Sequence, residues 1–457
     1  MMQEYTKRLG DAPLGRLLIK LSLPGIAATI STSLYNIVNT IWVTRIGYEA
    51  IAALTIVMPF QILYYAIGGG TSTGITALVS RRFGEQNPEA TNHAAGQTLF
   101  ISAVWGLVFI LVANLFANDI LPVLGATPDI MNYSRQYLVI TSFGAPFIIF
   151  AMVASSLIRG SGDAVKPMVI MVSSTLLNVI LDPLLIFGIG PFPEMGVAGA
   201  ALGTVIAQIF AALLVLYYFL TGKTAYRIRL IHLRPDMSIL KDIYRVGAPT
   251  AISQLMESVT FWLFNKVVSS FGSLIIAVVG IIMRISDFAF MPVLGVSQGL
   301  LPIVGYNYGA RSYKRLWQSV KLAALGIMVF LAALTILMEI FTPQIVNIFS
   351  NDPSLSAETV PALRIMLATL PLVGPIIMFV TAFQGLSQGT MALVLSLLRQ
   401  FLFFIPLLYL FCFLFGLYGV WYSMPASDIL SFALTFTFIY REYRKHRDGL
   451  YNQAEKA

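Results

Sequence analysis

Charge is scarce in this 457-residue chain. Only 11% of it is Asp, Glu, Lys or Arg, less than half the share of about a quarter found in soluble domains. Cysteine is nearly absent: Cys412 is the only one, so no intrachain disulfide and no Cys-based metal site is available. Histidine is limited to His93, His232 and His446. The chain holds no GxxxxGK[ST] phosphate loop, no HExxH and no GxSxG, so it offers no footing for direct use of ATP, a metalloprotease or a serine hydrolase, and it reads as a non-enzyme needing no cofactor. What is abundant is apolar surface, 57% hydrophobic residues with a mean hydropathy of +0.80. The solvent for most of this chain is lipid.

At roughly 35–40 residues for each span and its loop, about twelve transmembrane helices fit. The apolar runs place them near 17–44, 51–79, 94–117, 136–158, 167–188, 197–221, 247–270, 275–305, 318–341, 362–385, 392–415 and 419–440. The basic residues ahead of the first run (Lys7, Arg8, Arg16) with no cleavage site behind it read as a signal anchor. With both termini on one side, 23 of the 29 Lys and Arg residues fall on that side, 3 on the other (Arg45, Arg135, Arg364) and 3 within spans (Lys266, Arg284, Arg399). The positive-inside rule then predicts cytoplasmic termini in a multi-pass plasma-membrane protein. The net charge of +8 is thereby a topology signal, and no nucleic-acid partner is expected.

The second half repeats the first at a constant offset. Pro24/Pro249, Gly47/Gly272, Gly70/Gly295, Gly74/Gly299, Gly84/Gly309, Pro146/Pro371 and Gly160/Gly385 are each 225 residues apart. Six spans per half give both halves the same orientation, so the repeats are parallel. The expected fold is an all-α integral membrane protein of two six-helix lobes, 1–221 and 247–440, joined by a basic cytoplasmic loop at 222–246 and followed by a cytoplasmic tail at 441–457. Two facing bundles of this kind suit an alternating-access carrier; a duplicated structural protein is the plainer reading.

Ionisable groups inside spans are functional hypotheses by default. In the first half the deep acid is Asp182. Asn178 lies four residues earlier on the same helix face, and Pro183 leaves the carbonyl of Val179 without its helical donor. A carboxylate, an amide and a carbonyl are hard oxygen ligands suited to Na⁺, or the carboxylate can hold one proton. Thr204 and Asn39 fall at about the same depth, ~8–10 Å from the outer end of their spans. A satisfied Asp at a helix kink is the structural alternative.

In the second half Glu257, Asp287 and Asp428 share a mid-membrane level with Arg284 and Arg399. They form either a second proton or cation site or a buried ion-pair network, with Arg284 and Asp287 placed to pair at i,i+3. Lys266 is near enough to a span end to snorkel. Asn36, Gln61, Gln208, Gln254, Gln298 and Gln384 could line a wet cavity or bind helices together. Pro24 and Pro249 mark bending points in equivalent spans, and Gly68-Gly69-Gly70 and Pro292 with Gly295 read as interruptions of spans 2 and 8.

Several stretches resemble the multidrug and toxic compound extrusion (MATE) family. They are Ser33 to Val43, Ile158 to Asp163, Leu177 to Pro183, Val304 to Ala310, Phe383-Gln384-Gly385, Leu397 to Gln400, and Gly419-Val420-Trp421 through Asp428. The Asn178/Asp182/Thr204 pattern is most similar to the archaeal and DinF-like branches. The resemblance implies a V-shaped secondary antiporter that exports amphipathic, often cationic, drugs in exchange for Na⁺ or H⁺. It also implies an N-lobe ion site at Asp182, Asn178 and Thr204. The span-1 member of that site, an Asp in similar proteins, is here Asn39, which leaves one formal carboxylate instead of two and both coupling ions open. Glu257 matches a span-7 Glu that other branches use as a C-lobe site. The expected partners are small organic drugs and the lipid bilayer, with the chain a monomer. The alternative function is a flippase for a lipid or lipid-linked oligosaccharide, a related carrier whose cavity would need to be basic.

Overall fold

The computed structural model describes residues 9–350 and 352–454; the side chain of Asn36, and Lys7, Arg8 and Lys456 of the basic tally, lie outside the described residues. Twelve long helical passages follow one another. In the first half they are α1 (Leu14–Thr44), α2 (Tyr48–Gly84), α3 (Pro88–Val123), α4 (Pro128–Gly160), α5 (Val165–Phe187) and α6 (Gly196–Leu220). A single 3-10 turn, Leu230–Leu233, occupies the connection. The second half holds α7 (Met237–Ser269), α8 (Ser273–Gly309), α9 (Tyr313–Ile340), α10 (Pro353–Leu367 with Leu370–Gly385), α11 (Gly389–Phe415) and α12 (Leu417–Ala454). A short helix, Thr342–Phe349, lies between α9 and α10. Among the described residues nine of these are long and apolar enough to cross a bilayer, and α10 makes ten when its two arms count as one span. The remaining two, α7 and α12, carry the intramembrane acids Glu257 and Asp428 and extend into polar ends. Helices are the form that lipid permits, because each satisfies its own backbone polar groups.

The interruptions expected at Gly68–Gly70 and at Pro292 with Gly295 do not break their helices. α2 runs unbroken through Gly68–Gly70, and α8 runs through Pro292 and Gly295; α1 and α7 likewise continue past Pro24 and Pro249. Neighbouring helices supply enough packing to hold the turn around each. The real breaks are in the second lobe. α10 bends by 46° between Leu367 and Leu370, where Pro371 has no N–H for the carbonyl of Leu367. α11 contains a π-helical turn at Leu398–Phe403, a feature often found at functional sites.

The repeat glycines form the seam between lobes. A Cβ on Gly70 would sit 2.4 Å from the carbonyl oxygen of Gly247 on α7, and one on Gly74 2.2 Å from that of Ile243. Their equivalents Gly295 and Gly299, on α8, press in the same way on Ile26 and Ser22 of α1. Gly84 meets the Tyr306 carbonyl and Gly309 meets the Arg81 carbonyl, each at 2.0 Å from the would-be Cβ. A shift of 225 converts Gly84–Tyr306 into Gly309–Arg81, and it relates Gly70–Ala251 to Gly295–Ile26 and Gly74–Gly247 to Gly299–Ser22, the signature of a two-fold axis. Ser80 and Gly305 are themselves 225 apart and touch, so they lie on that axis.

Polar links reinforce the same end. Arg81 and Arg82 of α2 both reach Asp242 of α7 at 3.4 Å, and Arg81 donates to Ser387 Oγ at 3.2 Å. Arg315 of α9 donates to the carbonyls of Leu9 and Ala12. All of these contacts lie on the side of the chain termini. The two lobes therefore make a V closed at the terminal side.

Candidate functional site

Two polar centres occur, one in each lobe. In the first, α5 sets Asn178 and Asp182 one turn apart on its inner face, 4% and 1% exposed. Asn178 Nδ2 donates to Asp182 Oδ1 at 2.5 Å, while Asp182 Oδ2 is buried with no partner. α6 closes over the pair through Gly203, where a Cβ would lie 2.6 Å from Asp182 Oδ1. Gly199, one turn earlier, lets α6 approach the Leu185 carbonyl in the same way. Sequence reasoning missed Gly203, though the Gly199-x-x-x-Gly203 spacing is a close-packing signal.

Asn39 joins this centre through Tyr35, which was also missed. Asn39 Nδ2 donates to the Tyr35 hydroxyl at 3.1 Å, and that hydroxyl lies within bonding reach of Thr204 and electrostatic reach of Asp182. Asn39 Oδ1 is a second buried oxygen without a donor. Thr204 Oγ1 donates to the Ala200 carbonyl at 3.0 Å, which leaves its lone pairs to face the Tyr35 hydroxyl. Tyr137 contacts Gln61, and Tyr65 contacts Gln208, so these two glutamines belong to a tyrosine layer beside the acid. A buried carboxylate oxygen and an amide oxygen, neither accepting a hydrogen bond, are hard donors that a proton or a small cation would satisfy.

The second centre is a cavity of about 520 Å³ within the other lobe. Glu257, Asp287, Arg399 and Asp428 all line it. Arg399, carried by the π-helical turn, donates from Nε to Asp428 Oδ1 at 2.9 Å. Thr369, at the bend of α10, donates to Asp428 Oδ2 at 3.0 Å, and Ser427 Oγ donates to the Arg399 carbonyl at 2.8 Å. The two unforeseen helix breaks thus assemble one network. Among the described residues Glu257 and Asp287 have no direct hydrogen-bond or ion-pair partner; both line the cavity, with Arg399 within electrostatic reach of Glu257. Arg284 does not join: it is exposed, is not part of the cavity wall, and forms no ion pair with Asp287. Facing at i,i+3 permits such a pair, but the two side chains diverge. Lys266 lies over the Trp262 ring at 5.7 Å.

Gln254 and Gln298 sit at the seam, while Gln384 lines the second-lobe cavity. Gln254 packs on Gly69, Gln298 accepts from Arg159, and Gln384 Nε2 donates to Thr250 Oγ1 at 3.2 Å. Arg159, one residue past the span expected at 136–158, is the last-turn residue of α4 turned into the seam.

Among the described residues one group has metal-like composition, Glu89, His93 and His232, with ligand atoms within 4.8 Å of one another. His232 Nδ1 accepts the backbone N–H of Arg229 at 3.1 Å, so its proton rests on Nε2, which faces Glu89 at 3.0 Å. A metal would need that nitrogen bare. The group instead docks the connection onto α3, together with Gln97, which donates to the Arg234 carbonyl at 2.8 Å.

Comparison with known proteins agrees with this construction. The family model described as MatE matches twice, over residues 24–184 and 249–410, with starts again 225 apart. The multidrug export protein MepA of Staphylococcus haemolyticus (strain JCSC1435) is 26% identical over 441 residues, covering 96% of each chain. An outward-facing multidrug resistance MATE transporter of the MOP superfamily superposes with a TM-score of 0.89 at 26% identity, covering 97% of this chain and 98% of the other. A MOP superfamily transporter from Pyrococcus furiosus, described as having a binding pocket of reverse polarity, superposes with a TM-score of 0.86 at 27% identity, covering 97% and 98%.

Proposed function

We propose a function that starts from family membership: this chain belongs to the multidrug and toxic compound extrusion (MATE) family. It is a secondary active antiporter that exports amphipathic organic compounds, many of them cationic, by alternating access. The coupling ion, Na⁺ or H⁺, enters at Asp182, with Asn178, Thr204 and Asn39 beside it. The observation that carries this assignment is the unpartnered Oδ2 of a carboxylate that is 1% exposed. An isolated buried charge is costly, so the carboxylate needs a proton or cation to be stable there. Its occupancy is then able to bias the packing of α1, α5 and α6, provided that the ion binds the two carrier states unequally.

The lobes are assigned to 1–221 and 247–440, and the connection at 222–246 and the tail at 441–457 to the cytoplasm, which makes the V outward-facing. The protein works as a plasma-membrane monomer. Three cavity acids against one base in the second lobe favour cationic cargo over the anionic phosphates that a lipid-linked sugar flippase must hold. Counterflow of a fluorescent cationic dye in proteoliposomes, with Na⁺ and pH gradients imposed separately, tests this reading. Dye movement driven by one gradient supports antiport and names the ion. Movement indifferent to both would refute it.

A further inference from the structure

We propose that a groove on the surface of the second lobe holds one acyl chain of an anionic phospholipid, with the lipid phosphate at Arg284. The site belongs to the leaflet away from the chain termini and stands apart from the antiport reading.

The groove lies between α8, α9 and the short helix Thr342–Phe349, and its volume is about 550 Å³. Every side chain lining it is apolar. Ile285, Ala289 and Met338 form a buried floor, while Phe288, Leu337 and Phe341 stand exposed at its sides. A polar ligand would lose its hydrogen bonds to water in such a groove, whereas an alkyl chain leaves nothing unsatisfied there. The internal repeat shows why the groove belongs to this lobe. In the first lobe α3 runs on through residues 116–123, the counterparts of 341–348. α9 instead stops at Ile340, and the chain turns into the short helix. That turn is held by the bond from Thr342 Oγ1 to the Met338 carbonyl at 2.7 Å and by the buried Val346.

Charge departs from the repeat at the same place. Arg284 stands where the first lobe has Pro59, is exposed, and has no ion-pair partner among the described residues. Four residues at 3.6 per turn set it within ~40° of Phe288, one turn farther from the terminal side. It lies ~38 Å along α8 from Gly309, beyond the ~30 Å of a hydrocarbon core, and so nearer the opposite boundary than the span limits alone suggest. A helical side chain leans toward the N-terminus of its helix, which on α8 is the end at that boundary. An arginine there needs a counter-charge, and lipid phosphate oxygens supply it. The acid at the end of α9, Glu339, pairs with Arg364 at 3.5 Å, and Asp287 lines the separate cavity. A net-negative headgroup therefore suits Arg284 better than a zwitterionic one, whose ammonium would find no carboxylate beside it.

The test places a bimane fluorophore on Ile348→Cys, on the exposed side of the short helix, in the full chain carrying Cys412→Ser. Leu115→Cys, the first-lobe counterpart of Ile340, is the control. Each protein is reconstituted in vesicles of phosphatidylcholine and phosphatidylglycerol, with a nitroxide on the acyl chain of one lipid or the other. Quenching against mole fraction gives the relative affinity of the two lipids at each position. Phosphatidylglycerol is expected to be favoured about fivefold at Ile348 and not at Leu115. Arg284→Gln should bring Ile348 to parity, and Arg284→Lys should keep most of the preference, which also shows that the position tolerates substitution. Soluble glycerophosphoglycerol in excess should not relieve the quenching, because it lacks the chain. Equal preference at the two positions, an Arg284→Gln protein that keeps the fivefold ratio, or relief by the soluble headgroup would overturn the proposal. So would absence of quenching by either lipid in a protein that runs as a dimer, which would assign the groove to a second copy. The vesicles carry no ion gradient, so this outcome is independent of the counterflow result that tests antiport.

Discussion

The closed seam makes Gly309→Ala a sharp probe of alternating access. The added Cβ would lie 2.0 Å from the Arg81 carbonyl oxygen and 2.9 Å from its carbon, both backbone atoms that cannot swing away. Ordinary contact needs roughly 3.5 Å, so α2 and α8 must part by ~1.5 Å. Overpacking of this kind costs about 1–3 kcal/mol, and only in the closed-seam state. That translates to a population shift of about 5–150-fold toward states with the terminal side open. The reporter is a cysteine at Val246, which is 1% exposed and packs across the seam with Ala77 and Leu301. It is introduced together with Cys412→Ser so that no other thiol reacts. Maleimide labelling should accelerate by a factor in that range. Gly326→Ala, where an added Cβ meets nothing within 4 Å, should leave the rate unchanged. An unaltered rate in a folded, monodisperse Gly309→Ala protein would refute the idea that these glycines hold the lobes together.

Other expectations follow from the same contacts. Arg399→Gln leaves Asp428, 4% exposed, as an uncompensated buried acid, and breaking such a pair costs about 3–5 kcal/mol; thermal unfolding in detergent should shift down, and adding Asp428→Asn should restore most of the loss. Gly203→Val drives a side chain into Asp182 Oδ1, so gradient-driven transport should be lost while the protein still folds and binds dye; normal coupling would contradict the tight α5–α6 fit. Glu89, fully exposed, is held below the usual carboxylate range chiefly by its hydrogen bond from His232. A depressed carboxylate contributes stability above its unfolded pKa and loses it as pH falls through the lower folded value. Amide protection over residues 229–236 should therefore persist through mild acid and fade only below about pH 4.3; loss near pH 6.5 would assign the switch to a histidine instead.

The architecture was legible because lipid imposes strict rules. Span length and the 225-residue repeat needed no side-chain geometry, and the repeat even marked the seam glycines, although Gly70 and Gly295 read as interruptions of their spans. Asp182 and Asn178 were legible because i,i+4 spacing on one helix fixes their approach. Tyr35, Gly203 and the part of Thr369 beside Arg399 and Asp428 were not, because they depend on packing between helices distant in sequence. The Arg284–Asp287 expectation failed for the converse reason: local spacing allows a pair, but cavity shape decides where a side chain turns. The glutamines divided among three environments, Gln61 and Gln208 beside the tyrosines, Gln254 and Gln298 at the seam and Gln384 in the second-lobe cavity wall, a division that periodicity alone cannot make.

The central claim is that Asp182 couples an ion gradient to drug export. It is tested most directly by comparing wild type and Asp182→Asn in proteoliposomes, with a cationic dye followed under an imposed Na⁺ or H⁺ gradient. The account predicts gradient-driven dye movement in the wild type and, in the variant, movement no faster than in protein-free liposomes, because the amide can neither take a proton nor balance a cation's charge. Gradient-driven transport at the wild-type rate by Asp182→Asn would contradict it.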